Sequence, residues 1–281
     1  MRKIFLILFV IVVAGCACES QINGGLNPAG EQEVEISFVS TSEVDSRAII
    51  AEEDIVESLD LLIFKNNSFL YWRSAYKINN KFRATLSIDQ GLDIHFFANA
   101  RDIITKVYED GELSEGDDFE TVRGKIIDTN PSRFSYTSVS QIRLPMWGML
   151  ENKTVEDVPI NHWGGVSLLR SVASVDVEVK EDIEDQTFLL EDIRLYFVPN
   201  KGQLAPSLAN YDKCTHAINI PESPPGMQTT LTLFSDIYNP TTKSIANRLY
   251  LYDNNTDDNN RTQLPDKSQR NTRLVIGGNY K

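Results

Sequence analysis

Cys16 closes the run Val13-Ala14-Gly15-Cys16, directly after ten apolar residues, Ile4 to Val13, which follow Arg2 and Lys3. A basic start, a short apolar core and small residues before a cut describe a secretory signal peptide. A cysteine just after the small residues makes it the signal of a bacterial lipoprotein. The expected chemistry is diacylation of the Cys16 thiol with palmitate-type chains, removal of residues 1–15 and acylation of the new amine. Two or three acyl chains anchor a protein stably where one does not. The apolar run itself is too short to span a bilayer.

The other groups able to do chemistry are few and scattered. There are three histidines, His95, His162 and His216, and no pair has metal-ligand spacing. His95 falls inside an apolar run and reads as a buried, satisfied structural residue; His162 and His216 lie in polar stretches and read as exposed. No nucleophile elbow and no phosphate-binding glycine loop occurs. The stretch Asp253 to Asn260 is acidic, but it lacks the glycine and glutamate of a calcium loop, with Leu264 at the twelfth position. Beside Cys16, the chain has Cys18 and Cys214, for which two free thiols are favoured over a bond. Trp72, Trp147 and Trp163 could line a sugar platform, but core packing accounts for them better. Arg47 sits in the polar stretch Ser40 to Arg47, where a protease could reach it. On the residues alone, an ordinary surface arginine explains it better. No catalytic, cofactor or metal site is expected, and so no enzyme.

These groups must be carried by a β-rich frame. Apolar residues make up 41% of the chain, enough for a packed core. The formal net charge is −13, and loss of Arg2 and Lys3 with the signal makes it more negative by two. Bulk charge therefore excludes nucleic acid as a partner. Residues 16–33 are polar with Gly and Pro and read as a flexible tether. Val34, Ile36 and Phe38 then alternate with Glu35 and Ser37, the period of a half-buried strand. Leu59 to Phe64 reads as a strand buried on both faces. Asn66-Asn67-Ser68 turns it into Phe69 to Tyr71. Phe82, Ala84, Leu86 and Ile88 alternate, and Ile94 to Ala98 is again buried. Ile103, Ile104, Val107 and Tyr108 have helical spacing. Asp117 or Asp118 could cap a second helix bearing Phe119, Val122 and Ile126. After Pro131 the chain looks turn-rich. Short strands return at Val166 to Leu168, Val175 to Val179, Ile193 to Phe197, Leu231 to Leu233, Leu249 to Leu251 and Arg273 to Ile276. Many short strands with turn signals predict antiparallel sandwiches. The expected division is 34–155 and 156–281, with the helical insert in the first unit.

The order of motifs resembles the major fimbrial subunit (fimbrillin) family of type V pili. After the lipoprotein signal and first strand come Asp45-Ser46-Arg47-Ala48, the apolar strand Leu59 to Phe64, and Phe96-Phe97-Ala98-Asn99-Ala100. Then follow Leu144-Pro145-Met146-Trp147-Gly148, Leu169 to Val177, Leu249 to Asp253 and Thr272 to Ile276. The resemblance implies two transthyretin-like β-sandwich domains and a structural role in adhesion. It implies a subunit lipid-anchored at the outer membrane, then cut after Arg47 by an Arg-specific surface protease, with Ala48 as the new N-terminus. The first strand, with Val34, Ile36 and Phe38, would leave, and a strand of another fimbrial subunit would take its place. Family members run on past the strand matching Arg273 to Ile276, so the second sandwich is expected to be incomplete here. Stalk, tip and anchor roles stay open within this resemblance. A monomeric, lipid-anchored carbohydrate-binding module is the reading from another class.

Overall fold

The computed structural model describes residues 30–39, 55–129, 143–175, 188–196, 198–199 and 201–218, and the paired segments 228–229, 232–233, 238–239, 244–245, 249–252 and 273–280. Cys16, Cys18, Arg47, Ala48, Val177, Val179 and the 253–260 stretch lie outside the described residues.

The protein is mostly β, with two short helices among the described residues. Its main element is an eight-stranded sheet built from β1 (Glu31–Phe38), β2 (Leu59–Lys65), β3 (Ser68–Ile78), β4 (Lys81–Ser87), β5 (Asp89–Ala98), β7 (Met146–Val155), β8 (Ile160–Val166) and β9 (Leu169–Arg170), in the order β8-β1-β4-β3-β2-β5-β7-β9. Helices α1 (Arg101–Glu109) and α2 (Phe119–Lys125) and the short β6 (Ile127–Asp128) lie between β5 and β7 in the chain. Val34 and Ile36 of β1, Leu61 and Ile63 of β2, Phe96 of β5 and Trp163 of β8 share one buried core. Strands from both ends of the order meet there, so the sheet curls over on itself as a β-sandwich. The β2–β3 hairpin turns through Asn66 and Asn67, with φ of 52° and 59°. Positive φ at both turn residues matches the twist of the strands, and asparagine tolerates it.

A second core lies on the outer face of β2, β5 and β7. Leu62, Phe64, Phe97 and Trp147 pack there against Ile104 of α1, Phe119 and Val122 of α2, and Ile126 just after it. Asp118 caps α2, accepting a hydrogen bond from Thr121 N at 2.7 Å. β2 is therefore covered on both faces, as its continuous apolar run predicts. Leu204, Ala205, Tyr211 and Tyr252 from later in the chain complete this core. Beyond β9, Val172–Val175 pairs with Leu249–Tyr252, and Phe188–Tyr196 pairs with Arg273–Tyr280 and Thr232–Leu233, all antiparallel.

Three features differ from the sequence expectation. β1 begins at Glu31, three residues early, because Glu31 to Glu33 pair in register with β4 although their polar side chains look like tether. Residues 146–165 fall in a stretch expected to be turn-rich, yet β7 and most of β8 lie there. The first half of β7 is covered on both faces and the second is largely exposed until the buried Val155, so no period of two shows. Finally, β1 and β8 run parallel, the exception in an otherwise antiparallel sheet.

Candidate functional site

The seat of β1 is built from two strands. On one side β1 pairs antiparallel with β4, from Glu31 opposite Ser87 to Ile36 opposite Phe82. On the other it pairs parallel with β8, from Glu33 opposite Ile160 to Phe38 opposite Val166. Inward, Val34 and Ile36 are fully buried. Phe38 is half-buried, its ring 5.8 Å from that of Phe82. The three residues predicted to form the strand's apolar row thus do so, and β1 lies within the sheet rather than at its edge.

The opposite row of β1 is acidic and meets a basic row. Arg73 Nη2 of β3 lies 3.3 Å from Glu31 Oε1. Glu33 accepts from Tyr76 Oη at 2.6 Å and from Arg83 Nη1 at 3.3 Å. Glu35 accepts from Lys81 Nζ at 2.5 Å and from Arg83 Nη2 at 2.9 Å. His162 Nδ1 of β8 approaches Glu35 at 3.3 Å. The hydrogen bonds from Lys81 and Arg83 hold the Glu35 carboxyl down at about 2, from an ordinary 4.5. At the start of β1, Gln32 Nε2 donates to Asp157 Oδ1 at 2.7 Å.

Sequence reasoning missed this charged face. Its signal was present as glutamates at 31, 33 and 35 and cations at 81 and 83, all with strand spacing. Which row faces which depends on register, and register is set by the fold.

Asn99, at the end of β5, fastens the far end of the segment that follows β1. Its Oδ1 accepts from Glu57 N at 2.9 Å and Ser58 N at 3.4 Å. Its Nδ2 donates to Ile55 O at 2.8 Å and Leu144 O at 2.9 Å. Asn99 sits at φ 55°, the left-handed region that asparagine enters more readily than most residues. The stretch bearing Arg47 thus runs between β1 and a clamped entry to β2.

His95 is buried, stacked on Phe119 with ring centroids 3.8 Å apart. Burial pushes its imidazole down to about 3, so it is neutral. Its Nδ1 has no partner among the described residues, so it is buried as expected but not satisfied. His162 and His216 are exposed, and His216 Nδ1 lies 2.8 Å from Tyr211 Oη. Asp60, a carboxylate in the apolar run of β2, is raised by burial. It is met by Arg101 Nε at 3.2 Å and Trp72 Nε1 at 3.1 Å. Trp147 and Trp163 are core residues, and Trp72 packs on Tyr108 at 5.0 Å. Cys214 is exposed with a free thiol. A cleft of about 520 Å³ beside α1 and α2 is rimmed by Asp102, Lys106, Asp110 and Lys125. Lys106 pairs with Asp110 and Lys125 with Asp117, and no cysteine, serine or histidine lines the cleft among the described residues. Among the described residues, the slot that β1 fills is thus lined by an apolar row on one face and by charged side chains on the other.

No family model matches the sequence, and no curated protein matches it. Solved structures do. A candidate cell adhesion protein from Bacteroides eggerthii aligns at a TM-score of 0.51 and 14% identity, over 92% of this chain and 77% of that one. Another from Parabacteroides distasonis aligns at 0.51 and 13%, over 89% and 75%. A fimbrial assembly protein from Parabacteroides distasonis aligns at 0.47 and 12%, over 89% and 82%. At such identities the first two show that the fold is shared.

Proposed function

We propose that this chain is a structural subunit of a cell-surface fimbrium and that its role is adhesion. It is exported as a lipoprotein on Cys16 and held at the outer membrane by that lipid. An Arg-specific surface protease cuts after Arg47, leaving Ala48 first. β1 is then exchanged for a strand of a neighbouring fimbrial subunit.

The observation that carries this reading is the seat of β1. The strand contributes Val34 and Ile36 to the core and pairs along both edges, and its chain link to β2 is the stretch that contains Arg47. Emptying the seat uncovers an apolar row, at ~1.5–3 kcal/mol for each large side chain. It also uncovers two rows of unpaired backbone groups. Strand addition from another chain restores both together. The shared fold with candidate cell adhesion proteins supports the same role. The monomeric carbohydrate-binding reading gains nothing from the tryptophans, because Trp147 and Trp163 are buried.

The test is the N-terminus of the protein on intact cells, read by mass spectrometry with and without an inhibitor of Arg-specific proteases. The expected result is Ala48, reverting to acylated Cys16 under inhibition. Acylated Cys16 in both samples would overturn the polymerising role and leave an anchor subunit that keeps its lipid and its own first strand.

A further inference from the structure

The seat of β1 has a chemical preference on its outer face as well as its inner one. Side chains two apart on a strand share a face, so Lys81 and Arg83 stand together on β4, with Arg73 beside them from β3. In the filled seat each of these cations has a carboxylate from β1. Arg83 is shared between Glu33 and Glu35. It is three-quarters covered, and Glu35 is nine-tenths covered, so water screens this part of the face weakly. A strand with neutral residues in the outward row could fill the apolar side but would leave Lys81 and Arg83 crowded and unpaired. A strand with basic residues there would add like charge directly across a ladder, which is unfavourable.

Resting on the reading that β1 gives way to a strand of another subunit, we infer that the seat selects its occupant by charge. The incoming segment is an extended strand in which apolar residues alternate with carboxylates, spaced to meet Arg73, Arg83 and Lys81. Shape and apolar matching admit many strands; the cationic row rejects those that are neutral or basic in the outward positions.

The test uses the full chain with residues 43–48 replaced by the site of a sequence-specific protease, nicked after purification. Fluorescent peptides of residues 30–39 compete for the seat: the native peptide, a Glu31→Gln/Glu33→Gln/Glu35→Gln peptide, and one with all three changed to Lys. The native peptide should exchange in. The Gln peptide should bind about tenfold more weakly, with the gap narrowing as salt is added. The Lys peptide should stay out. Lys81→Gln/Arg83→Gln protein should lose the preference between native and Gln peptides. Equal binding of native and Gln peptides to the unchanged protein would overturn charge selection and leave strand exchange standing. Failure of every peptide, the native one included, would overturn the exchange reading and the selection with it.

Discussion

Glu35 shows how one side chain ties β1 to its neighbours. Its carboxyl is depressed to about 2 in the folded protein, against 4.5 unfolded, first by its hydrogen bond from Lys81 and then by that from Arg83. The unfolded chain therefore binds the extra proton between those values, and stability falls with falling pH in that window. The contribution is fully present above 4.5 and is lost as pH drops through about 2. Asp60 has the opposite sign: burial raises it, so protonation relieves it as pH falls. Urea midpoints of native and Glu35→Gln protein should separate these effects. The gap between the two should be constant above pH 4.5 and close toward pH 2. A gap that does not change with pH would mean that Glu35 acts through packing alone. The sequence shows the alternation that puts Val34 and Ile36 inside, because burial leaves a period of two in residue type. It does not show that Glu35 meets Lys81, because that contact spans strands 46 residues apart in the chain.

At the scale of elements, β2 and β7 mark the limits of pattern. β2 is legible, since the short apolar run from Leu59 to Phe64 is closed by the Asn66-Asn67-Ser68 turn, as a strand covered on both faces is. Asp60 inside that run is not, because its need for Arg101 appears only once α1 docks. β7 is illegible because its surroundings change along its length. Asn99 joins these elements, holding Ile55 to Ser58 at the entry of β2, the end of β5 and the approach to β7 through Leu144. Asn99→Ala should cost ~2–4 kcal/mol, because backbone groups lose their partners and alanine resists positive φ. Asn99→Gly keeps the φ and should lose somewhat less. Both values are measurable by urea unfolding, and a loss below about 0.5 kcal/mol would place the clamp elsewhere.

At the scale of the molecule, the two halves of the chain meet where β6 pairs with Gly202–Gln203. Tyr252 Oη donates to the buried Asp128 at 2.8 Å, and its ring lies flush on Gly202. A Cβ at Gly202 would come within 2.3 Å of that ring, which is 4% exposed and has little room to move. Gly202→Ala should therefore lower stability by ~1–3 kcal/mol, seen as a drop in Tm. An unchanged Tm would show that the later part of the chain yields freely at this contact. This junction had no sequence signal, since Lys201-Gly202-Gln203 is too short to show a strand period. The charge of −13 says nothing of which strands the surface admits.

The pairing of β1 is uneven along its length. Glu33 to Ile36 are bonded along both edges, whereas Glu31 and Gln32 meet only β4 and Phe38 meets only β8. If β1 is exchanged as proposed, a segment clamped in the middle and loose at its tips would not fall out when its linker is cut. It would be displaced as one nucleic-acid strand displaces another: a rival would take a toehold at a tip, then advance bond by bond while the resident peels away. Nicking and emptying are then separate events. A cut subunit would remain closed, storable and non-sticky in dilute solution, and would open at a rate set by the concentration of its successor.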